Sequence, residues 1–202
     1  MTTHELLVLT KTFLKDVKYF DEEICAILDI AQREFALNTR ILTKHVNIDI
    51  LEGEQAWAYG NDVVKIYSVI LASEDKLLQR VSRAYLNKYY PDWVLTTTKA
   101  TPDLWITHNF ELHLRAPAIA DDTLILTAAV LPTATLSCAD LGASPEIPVA
   151  YHMALVWHTL SVLLDEPKYQ DRYMQMICHA HGAEIRNYST SKGPQDNWDK
   201  GY

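Results

Sequence analysis

The hydrophobic period of this chain changes twice, and those two changes constrain its fold more than any single residue does. Leu6, Leu9, Phe13 and Val17 recur at helical spacing, with Leu7 and Leu14 widening the stripe, which predicts a short amphipathic helix over about 3–15. Ile24, Ile27, Leu28, Ala31 and Phe35 continue the helical period and predict a second helix from Asp21 to about residue 39. Asp21 is placed to accept a hydrogen bond from an early backbone N–H, and Glu22 and Glu23 suit the positive end of the helix dipole. The period then drops to two: Val46, Ile48 and Ile50 alternate with His45, Asn47 and Asp49 before a turn at Glu52-Gly53-Glu54.

Strand character persists through the middle of the chain. Ala56 to Tyr59 and Val63 to Leu71 are strand candidates, the second ending at Ser73-Glu74-Asp75, and Lys76 to Gln79 fits the returning arm of a hairpin. Ser82 to Tyr90 predicts a brief helix stopped by Pro91. Leu104 to Thr107, Glu111 to Arg115 and Thr123 to Val130 follow as three strands, for which antiparallel pairing is the simplest arrangement. Leu112 and Leu114 alternate with Glu111, His113 and Arg115, so one face of that sheet points inward.

The helical period returns after a loop rich in proline. Pro148 opens a helix in which Val149, Met153, Val156, Trp157, Leu160 and Leu164 form one stripe, while Leu155, Val162 and Leu163 occupy other sides. Such a helix should be enclosed nearly all round, at the centre of the core. Pro167 opens another, with Tyr169, Tyr173, Met176, Ile177 and Ala180 on one face, running to about Tyr188. The expected fold class is α+β. Residues 1–42 and 148–188 form a bundle of about four helices, 43–131 an inserted antiparallel β region with one short helix, 132–147 a loop and 189–202 an extended tail.

Composition narrows the function. Lys and Arg number 18 against 26 Asp and Glu, a formal charge of −8, which opposes general binding to a polyanion. No apolar run approaches the roughly 18 residues of a membrane span, and the chain begins without the pattern of a secretory leader, so an intracellular or virion setting is expected. Cys25, Cys138 and Cys178 are scattered and form no Cys-x-x-Cys pair; they read as reduced, small hydrophobes, with neither a disulfide framework nor a thiolate zinc site.

Motifs for phosphate cradling, elbow nucleophiles and helix-borne zinc are absent. His179 and His181 are two apart and so diverge on a helix, while His152 and His158 suit packing better than ligation. Asp21, Glu22 and Glu23 are explained by helix-start electrostatics, and Asp121-Asp122 and Glu74-Asp75 by solvated turns. From Ser189 onward the chain is too polar and too broken by glycine and proline to build a core, yet it carries Trp198 and Tyr202. Two large apolar groups stranded in a polar tail point to a partner surface.

The order of two helices, a β region, two helices and a tail resembles the head-to-tail adaptor (connector or neck) proteins of short-tailed bacteriophages. Tyr19-Phe20-Asp21-Glu22-Glu23-Ile24 through Gln32-Arg33-Glu34-Phe35-Ala36 is similar to the family's first helix, and Val46 to Ile50 with Glu52-Gly53 to its strand and turn. Leu112 to Ala118 followed by Leu124 to Pro132 resembles its strand–proline sheet segment, and Pro145 to Val156 the proline-bracketed start of its buried helix. The chain departs from the family at Tyr59-Gly60-Asn61-Asp62 and at Ala100-Thr101-Pro102.

The resemblance implies a virion structural protein without catalytic activity or cofactor. It would form a homo-oligomeric ring of twelve copies beneath the portal protein, joined below to a tail or nozzle protein. Twelve copies carry roughly −96 formal charges, so DNA would pass through the lumen without sequence-specific binding. The tail, with Lys192, Pro194, Asn197, Trp198 and Tyr202, would dock on the portal, Trp198 acting as the aromatic anchor. Alternatives are another neck ring protein, a stopper or tail terminator, or a metal-binding enzyme using His152, His158, His179 or His181 between helices.

Overall fold

The computed structural model describes residues 1–15 and 18–190, with side chains described through Gly182. In chain order the elements are α1 (Thr3–Leu14), α2 (Asp21–Thr39), β1 (Thr43–Ile50), β2 (Ala56–Ala58), β3 (Val63–Leu71), β4 (Lys76–Leu77), β5 (Gln79–Arg80), α3 (Arg83–Tyr89), β6 (Leu104–His108), β7 (Glu111–Leu114), β8 (Asp122–Val130), α4 (His152–Leu164) and α5 (Pro167–Thr190); a single 3-10 turn, Val149–Tyr151, leads into α4. Helix makes up 39% and strand 26%, segregated along the chain rather than alternating, and the fold is α+β. Two compact units result: Met1–Ile41 with Pro132–Tyr202, and Leu42–Leu131.

The helical unit is assembled from both ends of the chain. Thr2 caps α1 by accepting the Glu5 N–H (3.3 Å) while the Glu5 carboxylate accepts the Thr2 N–H (2.9 Å), a reciprocal box that satisfies two otherwise unpaired donors. At the start of α2 the expected capping by Asp21 does not occur. Phe20 is the N-cap, its N–H is bonded by Glu23 Oε2 at 3.1 Å, and Asp21 is the first helical residue, ion-paired with Lys11. Position decides this: the cap is the residue before the first helical one, and Asp21 already lies inside the helix.

Helix α4 packs against α1, α2 and α5. Ala154, Leu155, Val156, Thr159 and Leu160 are all fully buried, so apolar surface is covered on most sides of the helix. The enclosure is incomplete: Val162 of α4 and Val149 of the 3-10 turn before it face solvent at 54% and 70% exposure. Phe35 of α2 lies in the centre, its ring 5.4 Å from Tyr151 and 6.2 Å from Tyr173. Trp157 bridges α1 and α5, 5.1 Å from Phe13 and stacked on Tyr169. Tyr169, Tyr173, Ile177 and Ala180 form the buried stripe of α5.

The segment between β8 and α4 is strapped to α2 by polar side chains. Gln32 Nε2 donates to the Ala134 carbonyl (3.1 Å) and its Oε1 accepts the Glu146 N–H (2.8 Å). Asp29 accepts the Leu136 N–H (2.9 Å), and Glu146 accepts both the Thr133 and Ala134 N–H groups at 2.6 Å. These contacts satisfy backbone groups that strand or helix pairing would otherwise take. A disulfide between Cys25 and Cys138 adds a covalent tie, with Cα atoms 6.0 Å apart. This corrects the expectation of three reduced cysteines acting as small hydrophobes: Cys25 and Cys138 are 113 residues apart in sequence and meet only through the fold, and Cys178, the free one, is exposed.

The β unit holds two four-stranded sheets, ordered β1-β8-β3-β4 and β2-β7-β6-β5. All pairs are antiparallel except β5 with β6. The expected hairpin arm at Lys76 to Gln79 divides at Leu78, which is 3% exposed: β4 stays with the first sheet and β5 joins the second. The Leu78 N–H donates to the Val69 carbonyl (2.8 Å) and its own carbonyl accepts Trp105 Nε1–H (3.1 Å), so one residue stitches both sheets. β8 does not continue a meander after β7; it lies between β1 and β3. Leu124, Leu126, Ala128, Ala129 and Val130 are fully buried there, as a central strand demands. Gly53 occupies the left-handed region (φ 83°) in the turn after β1, where its N–H bonds the Ala118 carbonyl.

Candidate interaction surfaces

The hairpin between β6 and β7 carries the most unusual backbone of the β unit. His108 pairs with Glu111, leaving a two-residue loop of Asn109 and Phe110, both at positive φ (49° and 62°). A loop of this kind favours Asn then Gly. Asn109 meets the first preference, but Phe110 places a bulky side chain where Cβ crowds the backbone, and does so with 76% of its surface exposed. Folding alone gains nothing from that choice. The tip is braced from below: Phe110 carbonyl accepts the Tyr59 N–H (3.4 Å), Arg83 Nη1 lies 3.3 Å from His108 Nε2, and Glu111 is 3.1 Å from His113.

A second apolar display follows α3. Ser82 caps this helix by accepting the Tyr85 N–H (3.1 Å), and Leu86 and Trp93 pack with Leu104 and Ile106. Trp93 Nε1 donates to Asn87 Oδ1 at 2.9 Å, which holds the turn after the helix and leaves Tyr89, Val94 and Leu95 outward, at 56%, 58% and 80% exposure. Large apolar groups displayed this way are the raw material of protein–protein contact.

On the helical unit, Phe20 is 74% exposed beside a surface depression of about 460 Å³ lined by Lys11, Leu14, Lys15, Lys18, Tyr19 and Ile24. Tyr19 Oη donates to the Leu163 carbonyl at 2.6 Å and so forms a fixed wall. Alkyl walls and ammonium groups make up this lining, with Asp21 already engaged by Lys11. Among the described residues its lining offers no pair of acid and base groups for proton transfer.

Three of the histidines of the enzyme alternative, His152, His158 and His179, have different partners. His152 Nε2 is 3.0 Å from the Ile147 carbonyl in the core, and burial holds its pKa below the ordinary histidine value. His158 Nε2 is 2.7 Å from Glu34 Oε2, and its ring stands edge-on to Tyr173, whose phenol burial pushes up to about 12. His179 Nδ1 lies 3.4 Å from the Tyr151 hydroxyl on the outer side of α5. His152 and His158 therefore pack within the helical core, the role expected on an apolar helix. Among the described residues no three His, Cys, Asp or Glu side chains converge as metal ligands. Among the same residues no helix is long and apolar enough to cross a membrane.

Lys192, Pro194, Asn197, Trp198 and Tyr202, the tail residues assigned to partner binding, lie outside the described residues. Phe110 and the α3 turn were not among the candidates from sequence. Asn109 between two alternating runs is a hairpin signal, and a phenylalanine in the glycine slot is the one clue that could have found it. The chain matches no protein-family model and no curated protein.

Proposed function

We propose that this chain is a structural subunit of a virion neck, a head-to-tail adaptor that assembles as a ring of twelve copies under the portal. The observation that carries the reading is the organisation of the chain: helices from both ends close one unit, and a contiguous β unit is inserted between them. A cyclic ring repeats one heterologous contact, so each subunit needs two different complementary surfaces. The exposed apolar groups supply candidates on each unit, Phe20 on the helical one and Leu95 and Phe110 on the β one. The acidic balance suits a channel through which DNA slides without being held.

In this reading the segment from about Lys192 to Tyr202 docks on the portal with Trp198 as its anchor, and a tail or nozzle protein binds the opposite side of the ring. The test is reconstitution with portal protein. Full-length chain should copurify with portal as a ring visible by negative staining, and a version ending at Thr190 should keep its helical circular dichroism while losing attachment to DNA-filled heads. Unchanged attachment of the truncated form removes the role of the tail; a monomer that never associates with portal removes the adaptor reading.

A further inference from the structure

We infer that β1 is a self-pairing edge, through which two copies of this chain join their first sheets about a two-fold axis at Asn47. β1 terminates its sheet, and its eight residues keep an unbroken register with β8 from Thr43↔Ala129 to Ile50↔Asp122. Thr43, Lys44, His45, Asn47 and Asp49 are all exposed. The other side of the same sheet is protected differently: β3 has register shifts at Val63/Lys65 and Ile66/Ser68, and β4 covers its far end. Kinks, short covering strands and charges guard sheet edges; among the described residues β1 has no kink and no covering strand, and its charges are Lys44 and Asp49.

The hydrogen-bond phase of β1 can be read from its flanking pair. The Val130 N–H donates to the Leu42 carbonyl at 2.9 Å, so even-numbered residues face β8, and the N–H and C=O groups of Thr43, His45, Asn47 and Asp49 point away from the sheet. Antiparallel pairing of two identical strands about a two-fold must match residues of equal parity, since sheet faces are conserved. Centred on Asn47, it sets Asn47 against its equivalent, His45 against Asp49 twice, Val46 against Ile48 twice and, towards the ends, Lys44 against Ile50 twice.

The matches nearest the axis are favourable. The odd pairs exchange their outward backbone groups, which have no backbone partner among the described residues, in about six hydrogen bonds. His45 and Asp49, which now lean on Thr127 (3.3 Å) and Thr123 (3.0 Å), bring an imidazole opposite a carboxylate on one face. Val46 and Ile48, both only half-buried in the single chain, cover each other on the face that also holds buried Leu124 and Leu126. Moving the centre to Val46 would set Asp49 against Thr43 and lose the imidazole–carboxylate pairs. The product is a continuous eight-stranded sheet.

This contact closes after two copies, so it cannot build a ring by itself and does not rest on the adaptor reading. Cysteine cross-linking of the purified chain tests it without portal. In a Cys178→Ser background, which removes the exposed free thiol, Asn47→Cys should form a disulfide-linked dimer under mild oxidation, because the paired Cα atoms come within about 5.5 Å. Thr43→Cys should not, since its copies would be separated by roughly 27 Å. Asn47→Pro removes one outward N–H without touching the bonds to β8, and should lower the dimer fraction in sedimentation at least tenfold with unchanged circular dichroism. Absence of the Asn47→Cys dimer, linking by Thr43→Cys at the same rate, or a dimer indifferent to Asn47→Pro would each overturn the inference.

Discussion

The helical unit and the β unit solve the same problem of burial in opposite ways. The helical unit closes on itself: its two chain ends are tied by the Cys25–Cys138 bond, by the Asp29, Gln32 and Glu146 hydrogen bonds, and by aromatic contacts around Phe35 and Trp157. The β unit comes from one continuous segment, yet it leaves a long sheet edge, a strained aromatic tip and an apolar turn uncovered. One region invests its polar chemistry in holding its own chain. The other displays an edge, a tip and a turn at its surface, which join Phe20 of the helical unit as places to look for assembly.

The largest effect should come from emptying the helical core. Phe35→Ala deletes a fully buried ring between α2, the 3-10 turn and α5, and should cost about 3–5 kcal/mol, read as a lower urea midpoint with hydrogen-exchange protection lost first in α2 and α4. Replacing the disulfide by the pair Cys25→Ala and Cys138→Ala should cost about 2–4 kcal/mol, since the bond closes a loop spanning 113 residues. Reductant should lower the melting temperature of the wild type and leave that double variant unmoved. A wild type indifferent to reductant would break the contrast, because the helical unit would then be closed by packing alone.

Local pattern carried much of this structure and pairing little of it. The β-branched run from Val63 to Leu71 is β3, and the helical stripe from Asp21 is α2, because side-chain period depends on a residue and its near neighbours. Which strand lies beside β8 depends on residues scattered over the chain: the antiparallel pairing expected of three successive strands holds for β6 with β7, while β8 pairs antiparallel with β1 and β3 instead. β4 and β5 have two residues each, too few to hold any period, and their division at Leu78 leaves no trace in sequence. The same holds for the Cys25–Cys138 bond, the Glu34–His158 contact and the open edge at β1. Each exists only once distant segments meet.

The hairpin tip allows a change of the opposite sign. Phe110→Gly places in the left-handed position the one residue without a Cβ, and beside Asn109 it completes the preferred loop sequence. Relief of strain, less the greater freedom glycine gives the unfolded chain, should stabilise the protein by about 0.5–1 kcal/mol in thermal or urea unfolding. The same variant should weaken association if the exposed ring is a contact. Gain of stability with full retention of assembly would leave the strain without a purpose and weaken the view of the β unit as the binding half.

The smallest effect concerns His152, and it tests whether the helical unit buries its polar groups neutral. Burial holds the imidazole below its ordinary pKa and the Met1 amino group works in the same direction, while the Ile147 carbonyl and the Glu5 carboxylate favour the charged ring. Because the folded-state value lies below the unfolded one of about 6.5, the unfolded chain takes up the proton first. The stabilisation is therefore complete above about pH 6.5 and is lost as pH falls through the folded-state value. His152→Gln retains an N–H donor for the Ile147 carbonyl and cannot titrate, so its stability relative to the wild type should rise between pH 7 and 5 in urea unfolding followed by tryptophan fluorescence. A constant difference across that range would mean that His152 accepts its proton in place, and that the helical core is more open to water at α4 than its 4% exposure implies.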